Sequence, residues 1–276
     1  MSSYEQIRYE TSGRIARITT NRPRYRNAQS RRLLEELDAA FEEAVNDGEI
    51  RAIVLAGEGE HFSSGHDIGT QEELDDRKQR PYPEGRRGRY QRSWDLFVEK
   101  SLRWRNLPKP TIAQVQGLCI YGGWIIASAM DLIVAADDAR FLPAHFQYFS
   151  VPWDLGPRKT KEILWQARFV DAEEAMELGL VSRVVPRDQL ESATNELAES
   201  IAKMDTFTAR MIKFSVNQMQ DAMGFSTSVR AAHANYMLLE QSRDSEIPRD
   251  QKGRPRLPGV ERSLRGEDER TYERGD

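Results

Sequence analysis

Three short runs of continuous apolar character, Ala52–Ala56, Thr111–Val115 and the stretch opening at Asp131 and closing at Ala136, leave this chain few choices of fold. A strand that does not alternate between apolar and polar residues has no face for water, so it must be covered on both sides. Between the first two runs and before the first lie segments whose apolar residues recur at helical spacing. The clearest is Leu33, Leu34, Leu37, Ala40, Phe41 and Ala44, which stops near Asn46-Asp47-Gly48. Buried strands alternating with helices imply an α/β fold built on a parallel sheet. Ahead of that helix, Gln6–Tyr9 and Arg14–Thr19 alternate across a Ser12-Gly13 turn and read as a hairpin. The second half reads as mostly helical, over Ala172–Glu177, Gln189–Met204, Phe207–Met223 and Ser226–Gln241, with Val181–Val185 extended.

The chain has 276 residues, 30% of them charged, and a mean hydropathy of -0.68. That is polar against the usual quarter or so. The excess is local: residues 71–92 hold 12 charges and the tail from Arg243 holds 18. The first segment, with two prolines, two glycines and a local charge of +2, reads as a mobile lid-like loop or as the solvated start of a helix. Domain organisation follows as a core over 1–204, a helical region over 205–242 and a polar tail over 243–276. No run approaches the roughly 20 apolar residues of a membrane span, and the start has no basic segment leading into an apolar one, so a cytoplasmic address is expected. One cysteine, Cys119, removes a disulfide framework and a cysteine-rich metal site. A net charge of -4 gives no footing for nucleic acid or an anionic membrane.

Two glycine turns follow buried strands. One is Ser63-Ser64-Gly65-His66-Asp67-Ile68; the other is Tyr121-Gly122-Gly123-Trp124, which opens an apolar helix. Glycine there lets backbone approach a ligand and leaves amides unpaired. Facing each other, two such turns could aim two N–H groups at one developing negative oxygen; set apart, they are tight turns, with Asp67 as a helix cap. Ser63 and Ser64 are not read as nucleophiles, because the Gly-x-Ser-x-Gly elbow is missing.

From about residue 5 to residue 240 the chain resembles the crotonase superfamily, the enoyl-CoA hydratase/isomerase family. The stretches that carry the likeness are Ile18–Pro23 with Asn27-Ala28, Arg51–Gly57, Phe62–Ile68, Lys109–Ala113 with Gly117, Gly122-Gly123 and Asp131, and Ala175 with Leu178–Val181. The resemblance implies a spiral of ββα units, a C-terminal helical region used for trimerisation, and assembly as a homotrimer or homohexamer. It implies an oxyanion hole made by the backbone N–H groups of His66 and Gly122, polarising a thioester carbonyl. Coenzyme A would lie along Arg24, Arg26, Ser64, His66 and Ile68, as part of an acyl-CoA substrate. No cofactor and no metal is implied.

The departures from the family pattern matter as much. The two glutamates that handle water in family hydratases would fall at Ile125 and His145. An isoleucine cannot move a proton, whereas an imidazole with a pKa of about 6.5 can. His145 is followed nine residues later by Asp154 in Val151-Pro152-Trp153-Asp154-Leu155-Gly156, a pattern similar to the superfamily's β-diketone hydrolases, where a His/Asp pair activates water. Two readings stay open for each: His145 as base or as a satisfied structural residue, Asp154 as its partner or as a helix cap. Trp124, Ile125 and Trp153 are expected to line the acyl pocket, with packing in the core as the alternative. His61 and His233 have no partner in the sequence and read as surface or packing residues. The expectation is an acyl-CoA enzyme of the hydratase type whose His145/Asp154 pair performs an atypical hydration or a hydrolytic C–C cleavage. The rivals are an acyl-CoA-binding protein without turnover and, less favoured by charge, an RNA-binding member.

Overall fold

The computed structural model describes residues 4–143 and 150–242. The chain opens with the hairpin β1 (Ile7–Ser12) and β2 (Ile15–Thr20), then α1 (Arg31–Asn46) and β3 (Ala52–Gly57). The charged segment follows as α2 (Gln71–Gln79) and α3 (Gly85–Ser93), which runs through a π turn at Trp94–Glu99 into α4 (Lys100–Arg105). Next come β4 (Thr111–Val115), β5 (Leu118–Ile120), α5 (Gly122–Ser128), β6 (Leu132–Ala136) and β7 (Arg140–Leu142). The rest is α6 (Val151–Leu155), α7 (Pro157–Gln166), β8 (Val170–Asp171), α8 (Ala172–Glu177), β9 (Arg183–Val185), α9 (Leu190–Ala202), α10 (Thr206–Ala222) and α11 (Phe225–Ser242).

Six strands form one sheet in the order β1-β2-β3-β4-β6-β9, and β5-β7-β8 form a second. Only the β1–β2 pair is antiparallel in the larger sheet. The chain steps from the large sheet at β4 to the small one at β5, back at β6 and across again at β7, which is the ββα winding expected from the resemblance. The continuous apolar run of β3 is explained by its two covered faces. Ile53 and Leu55 join the main core with α1 residues Leu37 and Phe41, while Ala52 and Val54 point to the other side, under Leu190 and Ala198 of α9. Helix α1 starts where Ser30 accepts a hydrogen bond from the Leu33 N–H and stops at Asp47, as the pattern predicts.

Of the two forms expected for residues 71–92, loop or helix, the structure has the helical one. These residues form two helices in which part of the charge is paired inward, while Lys78, Glu84, Arg86, Arg87 and Arg89 stay exposed. Glu73 is fully buried, accepting from Arg77 and Arg92 at 2.7 Å each and from the Arg31 backbone N–H at 2.9 Å. Arg22, also buried, pairs with Asp67 and Glu72 at 2.9 Å. A high charge count does not by itself signal solvation, because cations and carboxylates in register can desolvate together. The tail over 243–276 lies outside the described residues. No helix among the described residues is long and apolar enough to cross a membrane.

The buried Glu73 is the hub of this layer, so its removal strands two guanidinium groups. Glu73→Ala is expected to lower stability by about 3 kcal/mol, the low end for a broken buried pair because both arginines keep some contact with water. Urea unfolding of the variant with an unchanged m value and a lower midpoint is the predicted result; an unchanged midpoint would contradict it.

Candidate functional site

The first glycine turn is hydrogen-bonded on both flanks. On one side Ser64 N–H donates to the Arg26 carbonyl at 2.8 Å, Gln29 N–H to the Gly65 carbonyl at 2.8 Å, and Asp67 N–H to the Gln29 carbonyl at 2.9 Å. On the other side the Ser63 N–H donates to the Leu118 carbonyl at 3.0 Å and the Ser63 carbonyl accepts from the Ile120 N–H at 3.1 Å. The turn is therefore laid down between the start of α1 and strand β5, which leads straight into the second turn. Arg26 and Ser64 become neighbours by this pairing. Arg24 stacks over the Tyr25 ring, 4.4 Å from its centre, and like Arg26 it is exposed; Ile68 is exposed beyond Asp67. The residues expected along a coenzyme A thus come from adjacent pieces of backbone.

The two turns touch. A Cβ at Gly65, whose φ is +91°, would lie 2.9 Å from the Ile120 carbonyl oxygen and 3.0 Å from the Gly122 nitrogen. Tyr121, just before, takes φ 54° and ψ -116°, a backbone shape that normally belongs to glycine. It is held there by its N–H donating to Leu142 at 2.8 Å. Among the described residues, no acceptor meets the backbone N–H of His66 or of Gly122. Two adjoining turns with two unpaired amides are the arrangement that can stabilise a developing oxyanion.

The helix that the second turn opens is apolar. Ile125 and Trp124 are each 1% exposed and belong to the main core, with the Trp124 ring edge-on to Phe141 at 5.8 Å. Trp153 is partly buried and leans on Phe225, with ring centres 5.6 Å apart. Asp154 lies on α6, where the Ser150 hydroxyl donates to it at 2.5 Å. It borders a cavity of about 420 Å³ whose wall also includes Ser128, Met130, Ile212 and Phe225. Desolvation pushes the Asp154 carboxyl up to about 7, against the opposing effect of Ser150, Ser128 and Trp124. As a helix cap it would accept from backbone N–H groups; instead it accepts from a side-chain hydroxyl, and α7 starts without a side-chain cap. His145 lies outside the described residues. Among the described residues no cluster of three His, Cys, Asp or Glu could hold a metal ion.

Three residues escaped the sequence reading. Phe97 lies face to face with the His66 ring, centres 3.5 Å apart and planes 13° apart, and Arg92 sits 5.5 Å from the Phe97 centre. Gln29, 1% exposed, leaves its Oε1 without a hydrogen bond beside Gly122. None had a local signal, since their relation to the glycine turns exists only across long sequence separations. His233, read as surface or packing, is buried with Nε2 2.6 Å from the Ser93 hydroxyl oxygen and edge-on to Tyr90 and Trp94. His61 accepts the Leu118 N–H at 3.3 Å through Nδ1.

Comparisons with known proteins agree on one family. The family model described as enoyl-CoA hydratase/isomerase matches residues 10–254. EchA13 of Mycobacterium tuberculosis is 44% identical over 247 residues, spanning 82% of this chain and 78% of that one. A crystal structure of a relative from Mycobacterium thermoresistibile superposes with a TM-score of 0.78 at 42% identity, covering 86% of this chain and 97% of its own. An enoyl-CoA hydratase/isomerase from Xanthobacter autotrophicus Py2 gives 0.77 at 31% identity, covering 86% and 88%.

Two measurements test this geometry without reference to any reaction. Gly65→Ala puts a methyl against two backbone atoms in a positive-φ turn and is expected to cost about 2 kcal/mol, read from thermal unfolding; no loss would mean the turns are looser than described. Because the Asp154 carboxyl is raised in the fold, its contribution to stability is full below its ordinary value of 3.8 and is lost as pH climbs through about 7. Asp154→Asn is therefore expected to flatten the fall in stability across that interval, and a curve parallel to wild type would remove the claim.

Proposed function

The chain belongs to the enoyl-CoA hydratase/isomerase family, and from that premise we propose that it polarises the carbonyl of an acyl-CoA thioester between the amides of His66 and Gly122 and turns it over with water activated by His145 and Asp154. One observation carries the first half: two N–H groups without an acceptor among the described residues, on turns in van der Waals contact. Donors already free of internal partners need no rearrangement when negative charge builds on the thioester oxygen. Coenzyme A runs along Arg24, Arg26, Ser64, His66 and Ile68. Both arginines are exposed where they can meet phosphates, Arg24 beside the Tyr25 hydroxyl and 3.7 Å from Glu72, and Ser64 and Ile68 belong to the turn or border it. Trp124, Ile125 and Trp153 bound the acyl group.

The second half rests on what the site lacks and what it keeps. Ile125 is buried and apolar, so a glutamate pair is not the proton-handling device here. Asp154 is a carboxyl poised near neutrality, suited to orient an imidazole and to balance the imidazolium it becomes. In a hydration, His145 takes a proton from water as the oxygen adds to the β-carbon, and the α-carbon of the enolate is then protonated. In a C–C hydrolysis, the activated water attacks a β-keto carbon, the C–C bond breaks to a carboxylic acid, and the enolate of the shortened thioester takes up the proton. No cofactor beyond the substrate's own coenzyme A enters either route. The buried Ile125 also favours a second reading, an acyl-CoA-binding protein without turnover.

Residues 205–242 serve as the trimerisation region in this reading, within a cytoplasmic homotrimer or homohexamer. The exposed Phe207, Ile212, Phe214 and Met219 of α10 support it, since unpartnered apolar side chains on one helix favour burial against another copy.

The test is a panel of enoyl- and β-keto-acyl-CoA thioesters, followed by loss of the conjugated absorbance for hydration and by release of a new acid for C–C cleavage. Turnover is expected to rise with pH through about 7 as Asp154 ionises, and Asp154→Asn should lower the rate and abolish that rise. His145→Ala is expected to cut turnover by roughly 100-fold or more, the scale of a lost general base. Undiminished turnover in His145→Ala refutes its role, and tight CoA binding with no turnover of any thioester favours the binder.

A further inference from the structure

The amide of His66 has a role in the reading above; its side chain has none. Yet the imidazole is among the most constrained groups in the site. One face stacks on Phe97 with ring centres 3.5 Å apart. Its edge meets the other turn: a Cβ at Gly122 would lie 2.5 Å from His66 Cδ2 and 2.7 Å from Nε2, with Gln29 Oε1 at 2.6 Å from the same point. Phe97 is carried by the π turn at Trp94–Glu99, a wide helical turn of the kind found at functional sites. Beside Phe97 lies Arg92, tied to the buried Glu73 at 2.7 Å. Burial, aided by the Arg92 charge, pushes the imidazole down to about 3, so the ring stays neutral at working pH.

We propose that the His66 imidazole is a positioning residue, a flat spacer clamped between Phe97 and Gly122 that holds the two amides at the separation an enolate oxygen requires. The inference rests on reading those amides as an oxyanion hole. A spacer at this spot acts on the donors directly, because it is the side chain of one donor residue and touches the Cα of the other. An alanine here would leave a ring-sized gap between Phe97 and the Gly122 turn. Small displacements of preorganised donors weaken the charged, enolate-like state far more than the ground state. The ring's neutrality fits this role, since it neither competes with the oxyanion nor introduces a titration between pH 5 and 9.

The experiment uses the full chain and two probes, coenzyme A and acetoacetyl-CoA, whose β-keto thioester forms an enolate readily. Wild type is expected to bind acetoacetyl-CoA more tightly than coenzyme A and to raise its enolate absorbance. In His66→Ala the ratio of acetoacetyl-CoA to coenzyme A affinity should fall about tenfold, whatever the variant does to coenzyme A binding itself, and most of the enolate signal should be lost. His66→Phe, which keeps the flat ring without its nitrogens, should restore both. If His66→Ala does not fold, His66→Leu, which keeps bulk but not the flat face, carries the same expectation. An unchanged affinity ratio and enolate signal in the Ala or Leu variant overturn the spacer, as does failure of His66→Phe to rescue. A wild type that does not distinguish the two probes overturns the oxyanion reading itself, and the two failures are told apart by that comparison.

Discussion

Everything else in this molecule is arranged around the contact between two glycine turns. Gly65 and Gly122 bring backbone against backbone so closely that a single methyl has no room. The contact is possible because β5 pairs briefly with the Ser63 segment before the chain turns into α5. The second sheet, β5-β7-β8, holds that strand in place, and the Leu142 carbonyl at the end of β7 holds Tyr121 in its strained shape. The cost of such a backbone, roughly 1–3 kcal/mol, persists only where the surroundings over-determine it. Here they do so at the residue that precedes an unpaired amide.

A second layer braces the same contact from outside. Glu73, Arg92, Phe97 and His66 form a line of touching groups from the fully buried carboxylate to the edge of Gly122. The charged helices α2 and α3 therefore belong to the support of the site. Ion pairs of this kind contribute little net stability against an apolar alternative, but they leave few alternative arrangements once formed. That is a useful property where donor positions matter at the level of fractions of an ångström.

The chemistry accessible to the site is set by which proton-handling groups the fold leaves in place. Ile125 is in the core and offers none. Asp154 faces a cavity with one short hydrogen bond from Ser150 and a carboxyl held near neutrality by desolvation. A fold fixes the backbone on which a site is built, and the side chains set on it decide which reaction the site can run.

The architecture was legible in the sequence because its signals are local. Continuous apolar strands, the helical period of α1 and glycines at strand ends each follow from short-range sterics and burial, and they determined the parallel sheet and the two turns. The family likeness carried His66, Gly122, Arg24, Arg26 and Ser64 to neighbouring backbone as well. What the tertiary structure alone decided is every property that depends on a distant neighbour. The 71–92 charges look solvated in sequence, and Glu73 leaves water only when the fold brings the Arg31 backbone N–H, Arg77 and Arg92 to it. Phe97 reads as one more core residue until the π turn lays it on His66. Asp154 carries an ordinary carboxyl until the fold desolvates it. Burial and charge pairing are sums over three-dimensional surroundings, and no window of sequence contains them.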